Sequence, residues 1–213
     1  RRHQMDGLAA DYAWHRAGLG EPWIPLGESG SWEWGQIQPA SSPVLLEDEI
    51  RFYYAGTRTG HGIREYTGAE PRAGIGFASI KPDRFVGLVA SGRGEILTRP
   101  FWTGTPQFYL NADVSARGRV LVEVVDMQGQ AIEGFGLAEA EPVRGDSIRH
   151  CLRWRGDADP GVLANREIRL RVTAEDATLY SLMAGSEAEV ARYWEFDIPP
   201  FLNIEQQRRQ IEP

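Results

Sequence analysis

The spacing of apolar residues constrains this chain more than any other feature. Val120, Val122 and Val124 alternate with Arg119 and Glu123, and Ile168, Leu170 and Val172 alternate with Arg169 and Arg171. A period of two sends one set of side chains to a buried face and the other to water, as on a half-buried β-strand. Helical spacing is scarce before residue 186. Short apolar runs recur instead, punctuated by Gly, Pro, Asp and Ser, and the 24 glycines fit a chain of many tight turns. The expected class is all-β.

Four such runs follow one another at 36–46, 50–56, 73–80 and 85–90. Short turns join the first pair (Glu47-Asp48-Glu49) and the last pair (Lys81-Pro82-Asp83), while a long polar loop, 57–72, joins the second to the third. Four antiparallel strands in a meander make one propeller blade. Residues 5–9 and 12–16 read as the last two strands of a preceding blade, and 17–34 as the connection between the two. Beyond residue 91 the candidate strands are 95–100, 107–112, 119–126, 148–154, 168–174 and 178–182, with hairpin links at 116–118 and 127–129. This second pattern fits two packed antiparallel sheets. The reading is therefore terminal blade(s) of a β-propeller over 1–90, an antiparallel β-sandwich over 91–184, and a C-terminal strap or tail over 185–213. Ser186 is placed to cap a short helix, with Glu187 and Glu189 in its first turn.

Composition removes several functions. A net charge of -7 opposes a nucleic-acid surface, which needs clustered cations to neutralise phosphates. No apolar run approaches the roughly 20 residues that span a bilayer, so no membrane partner is expected. The single cysteine, Cys151, has no partner for an internal disulfide, sits in an alternating pattern, and reads as a structural thiol rather than a nucleophile. The chain begins at Arg1 rather than Met and reads as starting inside a longer protein, so localisation is not legible. No phosphate-binding loop, dinucleotide fingerprint, GxSxG or HExxH is present. Asp126, Asp157 and Asp159 lie in or near turns where calcium could find oxygen ligands, but no dense acidic loop exists, and no cofactor is expected. Arg144-Gly145-Asp146 reads as a turn, with Asp146 capping backbone N–H groups and Arg144 ion-paired.

Three stretches resemble a known group. Met5-Asp6, Leu8-Ala9 and Trp14-His15-Arg16 look like a blade end of the five-bladed propeller glycoside hydrolases, the clan of invertase-like and arabinosidase-like enzymes (families 32 and 43). Gly30-Ser31-Trp32-Glu33, Ala40-Ser41-Ser42-Pro43-Val44 and Phe52-Tyr53-Tyr54-Ala55-Gly56 resemble the final blade of that architecture. The stretch from Asp113 to Tyr180, with Pro142 to Ser147 ahead of His150 and Trp154, is similar to the sandwich appended to it. The resemblance implies a carbohydrate-active protein hydrolysing O-glycosyl bonds once the complete propeller is present. It also implies that the catalytic carboxylates lie in first and middle blades outside this chain, so no residue here receives their roles. The partners implied are an oligo- or polysaccharide and the missing N-terminal blades or another subunit. The alternative is a non-catalytic carbohydrate-binding or structural interaction module.

Within a blade, the connections 17–34 and 57–72 leave the same end, and long loops gathered at one end of a scaffold are where binding surfaces form. The expected substrate-binding residues are Trp32, Glu33, Trp34, Gln36, His61 and Arg64. Sugars offer CH faces to indole rings and hydroxyls to carboxylates and amides. Either tryptophan could instead be a wedge between blades, and His61, in Gly60-His61-Gly62, could be merely exposed. Tyr53 and Tyr54 point to opposite faces of one strand and read as packing.

Overall fold

The computed structural model of the 213-residue chain describes residues 21–46, 48–60 and 73–192. The expected strands at 5–9 and 12–16, the segment 61–72 and the tail beyond residue 192 lie outside the described residues. What is described is all-β, with two antiparallel sheets, a 3-10 turn at Pro160–Leu163 and one short α-helix. The chain divides into two compact units, Arg1–Val44 with Ile50–Ser79, and Leu45–Glu49 with Ile80–Pro213.

In the first unit, β1 (Gln36–Pro39) and β2 (Val44–Leu45) both pair with β3 (Ile50–Thr57), which also pairs with β4 (Ala73–Ile80). The register between β1 and β3 runs antiparallel from Gln36 opposite Thr57 to Pro39 opposite Tyr54. Pro39 and Pro43 flank the gap between β1 and β2, where neither has an N–H to give a ladder. One side of β3 and β4 is paved with glycine, at Gly56, Gly74 and Gly76. The other carries Ile75 and Phe77, 81% and 54% exposed, with the Arg51 guanidinium 4.6 Å from the Phe77 ring centre.

The strand expected at 85–90 to complete this sheet is not in it. Residues from Leu88 onward form β5 (Leu88–Leu97), which pairs with the far C-terminal strand β9 (Glu167–Ala184), beginning with Leu88 opposite Leu179. The turn that was expected to send the chain back is instead captured. Asp83 adopts φ +61°, and the Pro82 carbonyl accepts from Asn111 Nδ2 at 2.7 Å. Arg84 Nε donates to Asn111 Oδ1 at 2.9 Å, and Ser181 Oγ donates to Asp83 Oδ2 at 2.8 Å. Asp146 accepts from Lys81 and Arg84, both at 2.5 Å. That is a different role from the expected backbone cap, and Arg144 donates to the Gly118 carbonyl at 2.9 Å rather than to a carboxylate.

The second unit is one five-stranded sheet of order β5-β9-β7-β8, with β6 (Phe101–Trp102) on the same β9 strand. Its long members are β7 (Phe108–Val125) and β9, and β8 spans Gly145–Cys151. Each long strand joins two runs that the sequence separates, so the expected hairpin at 116–118 is a bulge inside β7. Val114 faces Ala177 and Arg119 faces Glu175, leaving residues 115–118 opposite Asp176 alone. On the other flank Ala90 faces Ala177 and Arg93 faces Glu175, so Ser91 and Gly92 also stand opposite Asp176. Asp176 itself has φ +45°, and its Oδ1 accepts from Gly92 N at 2.8 Å.

The sheet folds back at this line. Phe101 faces Ile168 and Phe108 faces Ala184, residues 16 apart (184 − 168) on one strand. In a straight strand they would be about 50 Å apart, at about 3.3 Å per residue. The rings of Phe101 and Phe108 nevertheless meet with centroids 6.3 Å apart, and Phe108 also meets Trp154 at 6.2 Å. Trp154 in turn donates its indole N–H to Val122 O, on the other half of β7, at 2.9 Å. The result is sandwich-like: two layers made by one doubled sheet. Leu110, Val114, Val120, Val124, Leu170, Val172 and Leu179 fill the space between, and Phe135, Leu152 and Leu163 close it. Full burial of such side chains stabilises the fold by roughly 1.5–3 kcal/mol each.

The turn expected at 127–129 does form, held by Gly129 N–H donating to Asp126 O at 3.1 Å. The short helix α1 (Glu187–Arg192) starts as expected at Ser186, whose Oγ accepts from Glu189 N at 3.3 Å while Glu189 Oε2 accepts from Ser186 N at 2.7 Å.

Two outcomes test this account. Asp176→Val puts a branched side chain in the left-handed region and removes the bond to Gly92, at a cost of about 2 kcal/mol. Asp176→Gly loses the same bond but adopts the left-handed conformation freely, so its cost is smaller, about 1 kcal/mol; urea midpoints compare the two. For Asp146, hydrogen bonds from Arg84 and then Lys81 hold the carboxyl below its ordinary value. The folded state therefore binds that proton less tightly than the unfolded chain. Its stabilisation is present above about pH 4, the unfolded-chain range, and fades as pH falls through the lower folded value. Asp146→Asn should lower the melting temperature at neutral pH and flatten the acid limb of a stability–pH profile.

Candidate functional site

The Trp32-Glu33-Trp34 segment sits directly ahead of β1, in the first unit. Its position is set by what β3 and β4 lack. A Cβ at Gly56 would come within 2.4 Å of the Trp32 ring, and one at Gly74 within 2.9 Å. A Cβ at Gly76 would lie 2.7 Å from the Tyr54 ring. The glycines thus provide a floor on which two aromatic rings lie flat. Trp32 and Tyr54 are parallel to within 4°, with centroids 6.0 Å apart. Trp32 thus packs on the glycine face of its own unit.

Glu33 is bound into the same cluster. The Tyr54 hydroxyl donates to Glu33 Oε2 at 2.6 Å. That bond, then partial desolvation, then the carboxylate's charge raise the Tyr54 phenol above its ordinary 10.0. Tyr54 is therefore more than packing, and it is the member of the cluster that the sequence reading missed. A signal was present: glycines at 74 and 76, alternating on one strand beside Gly56 on the next, mark a face cleared for large rings. Trp34 remains 41% exposed, and Gln36 is half-buried in β1 opposite Thr57.

The start of β1 meets the end of β3. Gly35 N–H donates to Thr57 O at 3.1 Å, and a Cβ at Gly35 would lie 2.6 Å from Arg58 O. His61 and Arg64, the two other expected binding residues, lie outside the described residues. The structure thus brings together Trp32 and Glu33 with Tyr54, and places Trp34 and Gln36 in sequence after them.

Glycoside hydrolysis needs two carboxyl groups flanking the bond, and Glu33 is here paired with a phenol. Its second oxygen lies on the side of Gly27, where a Cβ would come within 3.2 Å of it. Among the described residues no group of three or more His, Cys, Asp or Glu side chains could hold a metal ion. The turn aspartates serve the backbone instead: Asp126 Oδ1 accepts from Gln128 N and Gln130 N, both at 2.9 Å, and Asp159 Oδ1 from Gly161 N at 2.8 Å. No helix among the described residues is long and apolar enough to cross a membrane.

The second unit has its own cleft, about 580 Å³, lined in part by Gln107, Phe135, Glu141, Cys151, Arg153 and Trp154. Cys151 is half-buried at its wall rather than sealed in the core. No family model, no curated protein and no solved structure matches this chain.

The Tyr54–Glu33 bond has a spectroscopic signature. The folded state keeps the Tyr54 proton more tightly than the unfolded chain, so this contribution holds below about pH 10 and is lost as pH rises through the folded value. Glu33→Gln should shift one tyrosine ionisation downward in an ultraviolet phenolate titration. Tyr54→Phe should remove that ionisation from the profile.

Proposed function

We propose that this chain is the C-terminal part of a carbohydrate-active, glycoside-hydrolase-like protein, and that it supplies sugar contacts while the bond-breaking carboxylates lie elsewhere. In this reading β1 to β4 belong to an end blade of a propeller and the doubled sheet is the appended sandwich. The observation that carries it is the tip at Trp32–Trp34. Trp32 is clamped on a glycine floor, Glu33 is held by the Tyr54 hydroxyl, and the exposed Trp34 indole follows them in the chain. A preorganised acceptor beside an aromatic face suits a sugar, because little conformational entropy is lost on binding. The exposed Ile75 and Phe77 support the partner reading, since the neighbouring blades of a propeller would cover such a face.

The test is calorimetric titration of the 213-residue chain with neutral xylo-, fructo- and cello-oligosaccharides. Trp34→Ala should weaken binding roughly tenfold, the loss of about 1 kcal/mol of stacking plus buried area. Unchanged binding by Trp34→Ala and Glu33→Gln together would remove this site from consideration.

A further inference from the structure

We infer that the cleft of the second unit is a separate carbohydrate-binding site, centred on Trp154 and independent of the Trp32–Trp34 tip. Three properties carry this. Its volume of about 580 Å³ falls within the range of small-ligand sites, roughly 300–1,000 Å³. Its aromatic wall is rigid: Trp154 packs edge-on against Phe135 at 5.5 Å and Phe108 at 6.2 Å, and its indole N–H is already committed to Val122 O. Its polar lining is balanced in charge, with Glu141 and Arg153 on exposed positions and the Gln107 amide beside them.

Each property narrows the ligand. Phe135 and Leu152 are 2% and 7% exposed and belong to the core, so the apolar wall is Trp154 with Pro106, Ala158 and Pro160, which suits an apolar surface better than a bare ion. One carboxylate and one guanidinium cancel, which disfavours a strongly anionic or cationic molecule. A carboxylate, a guanidinium and an amide together both accept and donate, which matches clustered hydroxyl groups. A neutral sugar ring has all three attributes: a CH face, no net charge and hydroxyls that do both. The backbone fixes the polar rim, because Glu141 N–H donates to Arg153 O at 2.9 Å and ties the two segments together. Replacing either side chain leaves that bond in place. The ligand class is shared with the proposed function and rests on it; the site does not.

The experiment titrates the intact chain and its variants with the same xylo-, fructo- and cello-oligosaccharides, with melting curves to verify folding. Arg153→Ala and Glu141→Ala should each weaken one of two binding events roughly tenfold or more, as expected for losing a hydrogen bond to a charged group. Trp34→Ala should leave that event untouched. Cleft variants that titrate like the parent, while Trp34→Ala loses binding, overturn the cleft site and leave the proposed function standing. The reverse pattern keeps the cleft and overturns the tip. An intact chain that binds none of the sugars overturns both.

Discussion

Asp176 interrupts β9, one of the two 18-residue strands, with φ +45°, and the architecture of the second unit follows from how its neighbours answer that break. On β9 the buried positions are 168, 170, 172 and 174 before it and 177 and 179 after it. One residue slipped into a strand reverses which side chains face inward, so this odd step changes the parity. On β7 the inserted stretch is even, from residue 115 to 118, and Val114 and Val120 both stay inside. The same holds on β5, where Ser91 and Gly92 make a two-residue insertion. The apolar sets remain in step across three strands while the backbone bends. Without matched insertions, the bend would carry half of the core to the solvent side.

The first unit solves a different problem with absent side chains. Three glycines on adjacent strands leave room for two flat rings, and the rings in turn fix a loop tip. Glycine in a strand weakens it and removes packing. Here the Trp32 ring, from the loop ahead of β1, stacks on Tyr54 of β3 and the two restore that packing. The acceptor at Glu33 is then held by the Tyr54 hydroxyl rather than left to the solvent.

Much of the fold was legible because alternation is a local property. The buried positions 120, 122 and 124, and 168, 170 and 172, read directly from the spacing, as did the helix start at Ser186. What was not legible was long-range. Nothing local distinguishes a hairpin at 116–118 from a bulge within one strand, since Gly118 suits either. The destination of 85–90 was hidden for a similar reason: Lys81-Pro82-Asp83 has the composition of a tight turn, but Asn111, Asp146 and Ser181, far along the chain, decide its course. At the candidate site the residue types were readable and the division of labour was not. Trp32 and Trp34 differ in nothing a sequence shows, yet one is anchored on glycine and the other is open.

Lys81 is the sole lysine of the 213 residues, and its side-chain amine is tied to Asp146. Amine-directed reagents therefore have one side-chain address in this protein. Acylation there would discharge the cation that faces Asp146, leaving Arg84 to hold the carboxylate, whereas reductive methylation would keep the charge. A reporter group attached at that nitrogen would sit where the chain enters the doubled sheet, with no background from other lysines. Such a probe would follow the integrity of this anchor directly, in a molecule whose remaining side-chain cations are almost all guanidinium groups.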